Sequence, residues 1–244
     1  MKRLNSLLMT AALLLSASFA AVAAPAGDKK SAKTAAAAES VRVPLDLAVL
    51  IQDDLVPRVG NEIKVTSEFI RSLPQGSRVM VGYLRSGSLQ VRQPFTEDLG
   101  AAANSLRVPV GSTSVSPYNP YVEVVEALKR FPADSRNRNA MLLVSDGLDT
   151  SRGFDAFSTL RSVDLDRAVR EAKERGVPVY SFYAPSVGLT SFDRQAVAYG
   201  QGALNRLSDE TGGRAFFQGS SFVTFNAYFE RLRAALNERG GVAY

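Results

Sequence analysis

Three short segments carry the side chains that chemistry would use. Gln52-Asp53-Asp54-Leu55-Val56-Pro57 ends the almost wholly apolar run at residues 45–52, and Asp146-Gly147-Leu148-Asp149-Thr150 follows a second apolar run at 140–145. Gly111-Ser112-Thr113-Ser114 lies ahead of a helical pattern containing Tyr121. Carboxylates and hydroxyls are hard oxygen donors, suited to a hard cation or to a network of loop hydrogen bonds. Taken singly, Asp146-Gly147 also fits a loop that only bonds its own backbone, and Gly111–Ser114 fits a plain polar loop. The chain contains neither Cys nor His. That removes disulfides, thiolate nucleophiles, zinc knuckles, the Ser-His-Asp triad and any imidazole base. No GxxxxGK[ST] occurs, and only Gly60 follows the first strand closely, so a phosphate cradle is lacking. A Ser-Lys arrangement on Ser112, Thr113 or Ser145, a Ser-based hydrolase on an α/β scaffold, stays open at this point.

The elements that must hold these segments alternate between strand and helix patterns, the mark of an α/β domain. Strands are expected at 45–52, 78–85, 89–95, 140–145, 177–183 and 214–217. The first is apolar through its centre, as a parallel strand covered on both faces should be. Ser86-Gly87-Ser88 reads as a hairpin turn, making 89–95 an antiparallel edge. Helices are expected after an Asn61 cap up to Leu73, and at 96–106, 121–131, 164–175, 203–211 and 225–238. The fold class is thus a doubly wound, mainly parallel six-stranded sheet with one antiparallel edge strand and helices on both faces. In such a sheet, ligands meet the loops at the carboxyl ends of strands, where all three segments fall.

Composition supports a globular chain: of 244 residues, 45% are hydrophobic and 22% charged, enough to bury a core. Lys2 and Arg3, the apolar run at 7–15 and Ala21-Val22-Ala23 form a positive, apolar and small-residue series, read as a signal peptide over residues 1–23. Residues 24–40 are Ala- and Lys-rich and read as a flexible linker, leaving 41–244 as the folded domain. The net charge of +5 falls to +3 without Lys2 and Arg3, too small and too dispersed to argue for nucleic acid. No membrane span is expected once the leader is cleaved, and the protein is expected in the periplasm or outside the cell.

Considered together, the strand ending in Asp-Asp, Gly111-Ser112-Thr113 before a helix and Leu142-Leu143-Val144-Ser145-Asp146-Gly147 resemble a von Willebrand factor type A (vWA) domain. Val177-Pro178-Val179-Tyr180-Ser181 and Thr211-Gly212-Gly213-Arg214-Ala215 are similar to a secreted bacterial branch of that family. The resemblance runs over about residues 43–238 and implies a Rossmann-like vWA fold. It also implies a metal-ion-dependent adhesion site: Asp-x-Ser-x-Ser after the first strand, a Thr in the second loop and an Asp after the fourth strand, usually around Mg²⁺. Thr113 and Asp146 match. The first motif departs from the pattern. With Gln52 leading, Asp54 and Val56 stand where serines are expected; with Asp53 leading, Leu55 and Pro57 do. The implied metal ligands are therefore Asp54, with Asp53 as the alternative, Thr113 and Asp146, a degenerate set with weak or lost Mg²⁺ binding.

These features point to an exported, non-catalytic module that binds a protein partner through its upper loops and requires no cofactor. Metal-dependent adhesion through Mg²⁺ is the alternative within the same resemblance. Direct contacts are expected from Asp53, Leu55, Ser114, Tyr118, Tyr121 and Asp149, which lie in or beside the three segments. Tyr118-Asn119-Pro120-Tyr121 supplies aromatic anchors of the kind interfaces favour, unless both rings pack on the helix below. The mature chain is expected to begin at Ala24. N-terminal sequencing of protein recovered outside the cytoplasm checks this, and soluble cytoplasmic material starting at Met1 would contradict it.

Overall fold

The computed structural model describes residues 41–154, 162–217 and 224–238. The expected leader and linker lie outside them. The first strand, β1 (Leu45–Gln52), is buried at all eight positions. It pairs in parallel with β2 (Arg78–Arg85) on one side and with β4 (Arg138–Ser145) on the other. β3 (Ser88–Thr96) turns back antiparallel on β2, while β5 (Val179–Tyr183) and β6 (Ala215–Phe216) extend the parallel side. The six strands form one sheet in the order β3-β2-β1-β4-β5-β6. Ser86 and Gly87 both take positive φ, 51° and 76°, the turn geometry that matches the twist of a two-residue hairpin.

Alternation along the central strands divides the core into two layers. Leu47, Val49 and Ile51 face α1 (Gly60–Arg71) and α6 (Phe225–Glu238), whereas Ala48 and Leu50 face the other side. In the first layer Phe69 stacks on Phe229 at 4.5 Å, and the Phe182 ring meets Phe216, Phe225 and Phe229 edge-on. The second layer holds α3 (Pro120–Leu128), α4 (Val163–Glu174) and α5 (Arg194–Thr211), with Val124, Leu165 and Leu204 turned inward. A short helix, α2 (Leu99–Asn104), stands beside the edge and is capped by Asp98. No described helix is long and apolar enough to cross a membrane.

Several boundaries differ from those the sequence suggested. α5 begins nine residues before the expected start at Ala203, because the Asp193 carboxylate caps it, accepting from the N–H groups of Gln195 at 2.7 Å and Ala196 at 3.2 Å. Gly200 and Gly202 lower helix propensity there and hide its first half. α1 starts at Gly60 without the Asn61 cap, running on from a 3₁₀ turn at Pro57–Val59. α3 stops at Leu128, three residues short of Phe131, and α2 is shorter than the expected 96–106. Ser162, rather than the start of the charged run at Asp164, caps α4. β5 starts two residues later than expected and β6 keeps only two residues, while β4 starts two residues earlier.

Glu123 is the anomaly of this core. It is wholly buried on α3, and neither carboxylate oxygen meets a donor at bonding distance among the described residues. Burial pushes its pKa up to about 8, and the nearby backbone N–H groups of Arg85 and Gly87 offset only part of that. The folded state therefore binds a proton that the unfolded chain has released above its usual value of 4.5. The contribution of Glu123 to stability should fall as pH rises from about 4.5 to about 8 and then level off. In Glu123→Gln this slope should be shallower, the part that remains coming from Asp54 and Asp146, whose carboxyls burial also raises. Urea unfolding at pH 5 and pH 8 checks it, and equal slopes in the two proteins would contradict it.

Candidate functional site

The chain leaves β1 toward β2 on one side and returns to β4 on the other, so a crevice opens above the carboxyl ends of β1 and β4. A cleft of about 360 Å³ occupies this place. Gln52 at the end of β1, Asp54 from the loop after it and Asp146 from the loop after β4 line it, all three buried. Thr113, Ser114, Ser116 and Tyr118 line it as well, as do Ser186 and Leu189 from the loop after β5. The β1 loop crosses to the β5 loop and pairs with it: the Val56 N–H donates to the Pro185 carbonyl at 3.0 Å, and the Val187 N–H to the Asp54 carbonyl at 2.9 Å.

The two acids that end β1 go in opposite directions. Asp53 turns toward the sheet edge, where Arg107 donates to both its oxygens at 2.6 and 2.8 Å. Arg85 approaches at 3.4 Å and the Val110 N–H donates at 3.1 Å. The Arg107 guanidinium also lies over the Tyr83 ring, 4.0 Å from its centroid. Asp54 turns into the cleft instead. There the Gln52 amide donates to it at 2.7 Å, and Ser116 lines the same cleft.

Gln52 also binds the other strand. Its carbonyl oxygen accepts from the Ser145 hydroxyl at 2.5 Å and from the Asp146 N–H at 3.2 Å. Asp146 itself accepts from the Leu148 N–H at 3.1 Å and the Thr190 hydroxyl at 3.0 Å. Burial, then the neighbouring charge of Asp146, pushes the Asp54 carboxyl up to about 6. Burial raises Asp146 as well, against its hydrogen bonds from hydroxyl and N–H donors. The Asp146 loop is braced from both sides. Tyr121 donates its hydroxyl to the Gly147 carbonyl at 2.6 Å, and a Cβ at Gly200 of α5 would stand 2.0 Å from the Asp146 carbonyl oxygen. Only glycine at 200 lets that helix approach.

The structure thus brings Asp54, Thr113 and Asp146 to one cleft and sends Asp53 elsewhere. These residues do not make the donor set of a magnesium ion, which takes near-octahedral oxygen ligands. The lead position is an amide whose N–H points at Asp54, and Leu55, Val56 and Pro57 offer no side-chain oxygen. Each Asp146 oxygen accepts one protein donor and keeps a second lone pair. Among the described residues, no three His, Cys, Asp or Glu side chains converge as a metal site requires.

Of the expected partner contacts, Ser114 and Tyr118 are exposed, and four others are buried. Asp53 is enclosed by its arginines, and Leu55 is sealed where the β1 and β5 loops pair. Tyr121 packs in the core under Gly147. Asp149 accepts from the Ser151 hydroxyl at 2.7 Å and the Ser162 hydroxyl at 2.6 Å, which makes it a brace within its own loop. Their side chains do not present themselves to a partner. Tyr118 does, 55% exposed and in the left-handed region at φ 58°, its carbonyl held by the Thr150 N–H at 2.6 Å. A bulky residue there stores backbone strain of about 1–3 kcal/mol, common at binding sites.

Ser116, Ser186, Leu189 and Thr190 were not singled out from the sequence. The loop after β5 holds three of them, and the rule that pointed to the β1 and β4 loops applies equally to that one. Arg107→Ala should destabilise the fold by about 3 kcal/mol, because it strands a buried carboxylate. Arg107→Lys should recover only part, lacking the planar two-pronged contact. Chemical denaturation measures both, and a loss under about 1 kcal/mol in Arg107→Ala would contradict the pairing.

No family model matches the sequence, and no curated protein matches it. Among solved structures, the chain is similar to the conserved hypothetical protein BatB from Bacteroides thetaiotaomicron, with a TM-score of 0.56 and 11% identity over 81% of this chain and 100% of that one. It is also similar to an aerotolerance-related membrane protein from Bacteroides fragilis NCTC 9343, with a TM-score of 0.54 and 13% identity over 81% and 100%. The SpRpn10 VWA domain aligns more loosely, with a TM-score of 0.48 and 13% identity over 83% and 100%. At such identities the likeness is one of fold alone. With its strand order and single antiparallel edge, the chain has a von Willebrand factor type A-like, Rossmann-like α/β fold.

Proposed function

We propose that the chain is an exported, non-catalytic protein-binding module that engages its partner through the cleft and rim at the carboxyl edge of the sheet, without a resident divalent cation. The observation that carries this reading is the pairing of a polar cleft at the switch point with exposed aromatic residues beside it. Tyr118 lines the cleft, and Phe192, 76% exposed, stands three residues beyond Leu189 on the same loop. Rigid aromatic side chains at a rim give large contact area at low entropic cost. Catalysis has no support in the cleft. The chain has no histidine to serve its hydroxyls, and among the described residues no lysine lines it. Export rests on the leader-like series at residues 1–23, and the likeness in fold to a bacterial membrane protein is consistent with a place in the cell envelope.

Immobilised protein exposed to envelope extract tests the reading. One partner should be retained at fixed stoichiometry equally with EDTA and with Mg²⁺. Tyr118→Ala should weaken capture about tenfold or more, the usual effect of removing an interface anchor. Capture that vanishes in EDTA and returns with Mg²⁺ would contradict it and favour metal-dependent adhesion.

A further inference from the structure

Among the described residues, the buried acids of the sheet are treated unequally. Asp46 at the foot of β1 receives two hydrogen bonds from Arg78, at 2.8 and 2.7 Å. Asp53 receives Arg107 and Arg85. Among the described residues Asp54 and Asp146 receive neutral donors only, Asp54 from Gln52 and Asp146 from Leu148 and Thr190. Asp54 is 2% exposed and Asp146 3%, yet both line an open cleft, and among the described residues no Lys or Arg lines it. A buried carboxylate is tolerated when paired and hydrogen-bonded, and these two acids share one crevice with no cationic partner among the described residues.

Resting on the binding reading above, we propose that the cleft takes an arginine side chain of the partner protein, its guanidinium seated between Asp54 and Asp146. The partner supplies the positive charge that this chain places elsewhere. A guanidinium suits the site where magnesium does not, because it needs hydrogen-bond acceptors in its plane rather than six oxygens around a point. Its five N–H groups exceed what one carboxylate can accept, so two carboxylates and the hydroxyls of Thr113 and Ser114 are appropriate company. The aliphatic stem would pass Leu148 and Leu189, and the Tyr118 ring at the mouth adds an aromatic face for a cation. A volume of about 360 Å³ admits such a side chain. An acidic side chain would meet like charge.

Titration of ¹⁵N-labelled protein with n-butylguanidinium, n-butylammonium and n-butanol, followed by amide NMR, tests this. The guanidinium should give saturable shifts at the Leu148 backbone amide and the Gln52 side-chain amide, with a dissociation constant on the order of millimolar. The ammonium should bind several-fold more weakly, and butanol should give no saturable shift. Asp54→Asn should weaken the guanidinium at least tenfold. Thr113→Arg, at an exposed position that tolerates change, should fill the cleft from within and abolish both probe binding and partner capture. Absence of a saturable shift, equal binding by the ammonium, or shifts unchanged in Asp54→Asn overturn the proposal. If the guanidinium is silent while Tyr118→Ala still releases the partner, the arginine assignment fails and the docking site stands. If the guanidinium binds through Asp54 while Tyr118→Ala has no effect, the arginine assignment holds and the aromatic rim falls.

Discussion

The side-chain amide of Gln52 joins the ends of β1 and β4 by hydrogen bonds to Asp54, Ser145 and the Asp146 backbone, and the upper surface is arranged around it. A carboxylate at this position would make a third anion beside Asp54 and Asp146, a cluster that only a strong cation stabilises. A neutral amide reverses the requirement. Its N–H side satisfies one acid and its carbonyl side satisfies two donors of the neighbouring strand, so the loops close on themselves. The two remaining acids are held by neutral donors and stay oriented while still wanting positive charge.

The surrounding fold exists to keep that geometry fixed. β1 and β4 are buried on both faces, and their parallel pairing sets their two ends side by side. Tyr121 and Gly200 brace the Asp146 loop from helices on the same face of the sheet, so the loop position depends on how closely α5 approaches. On the edge side, Arg107 and Arg85 pull Asp53 away from the crevice. Removing that anion from the cleft leaves two acids there rather than three. Loops held this firmly form a preorganised surface, which would leave little ordering cost for the binding proposed above.

Much of the fold was legible in the sequence, because strands covered on both faces must be apolar throughout and Ser86-Gly87 can only turn a chain sharply. What was not legible depended on distant contacts. Adjacent residues at a strand end point to opposite sides, but nothing local says that Asp53 faces the edge and Asp54 the cleft. Arg107, 54 positions further on, decides it. Tyr118 and Tyr121 looked alike as interface anchors, yet helix geometry turned one into the core and left the other at the rim. The early half of α5 was hidden by Gly200, a poor helix former kept for close packing on Asp146. Thr190 went unseen because its importance lies in a hydrogen bond to Asp146 across 44 positions.

We propose that the amide at position 52 and the apolar residues after it leave no magnesium site between Asp54, Thr113 and Asp146. Isothermal titration of the protein with Mg²⁺ near neutral pH measures this directly. The expected result is no saturable heat at millimolar ion. A tight, stoichiometric isotherm that Asp146→Ala abolishes would contradict it, because the loop after β1 would then have to supply oxygens that its side chains do not carry.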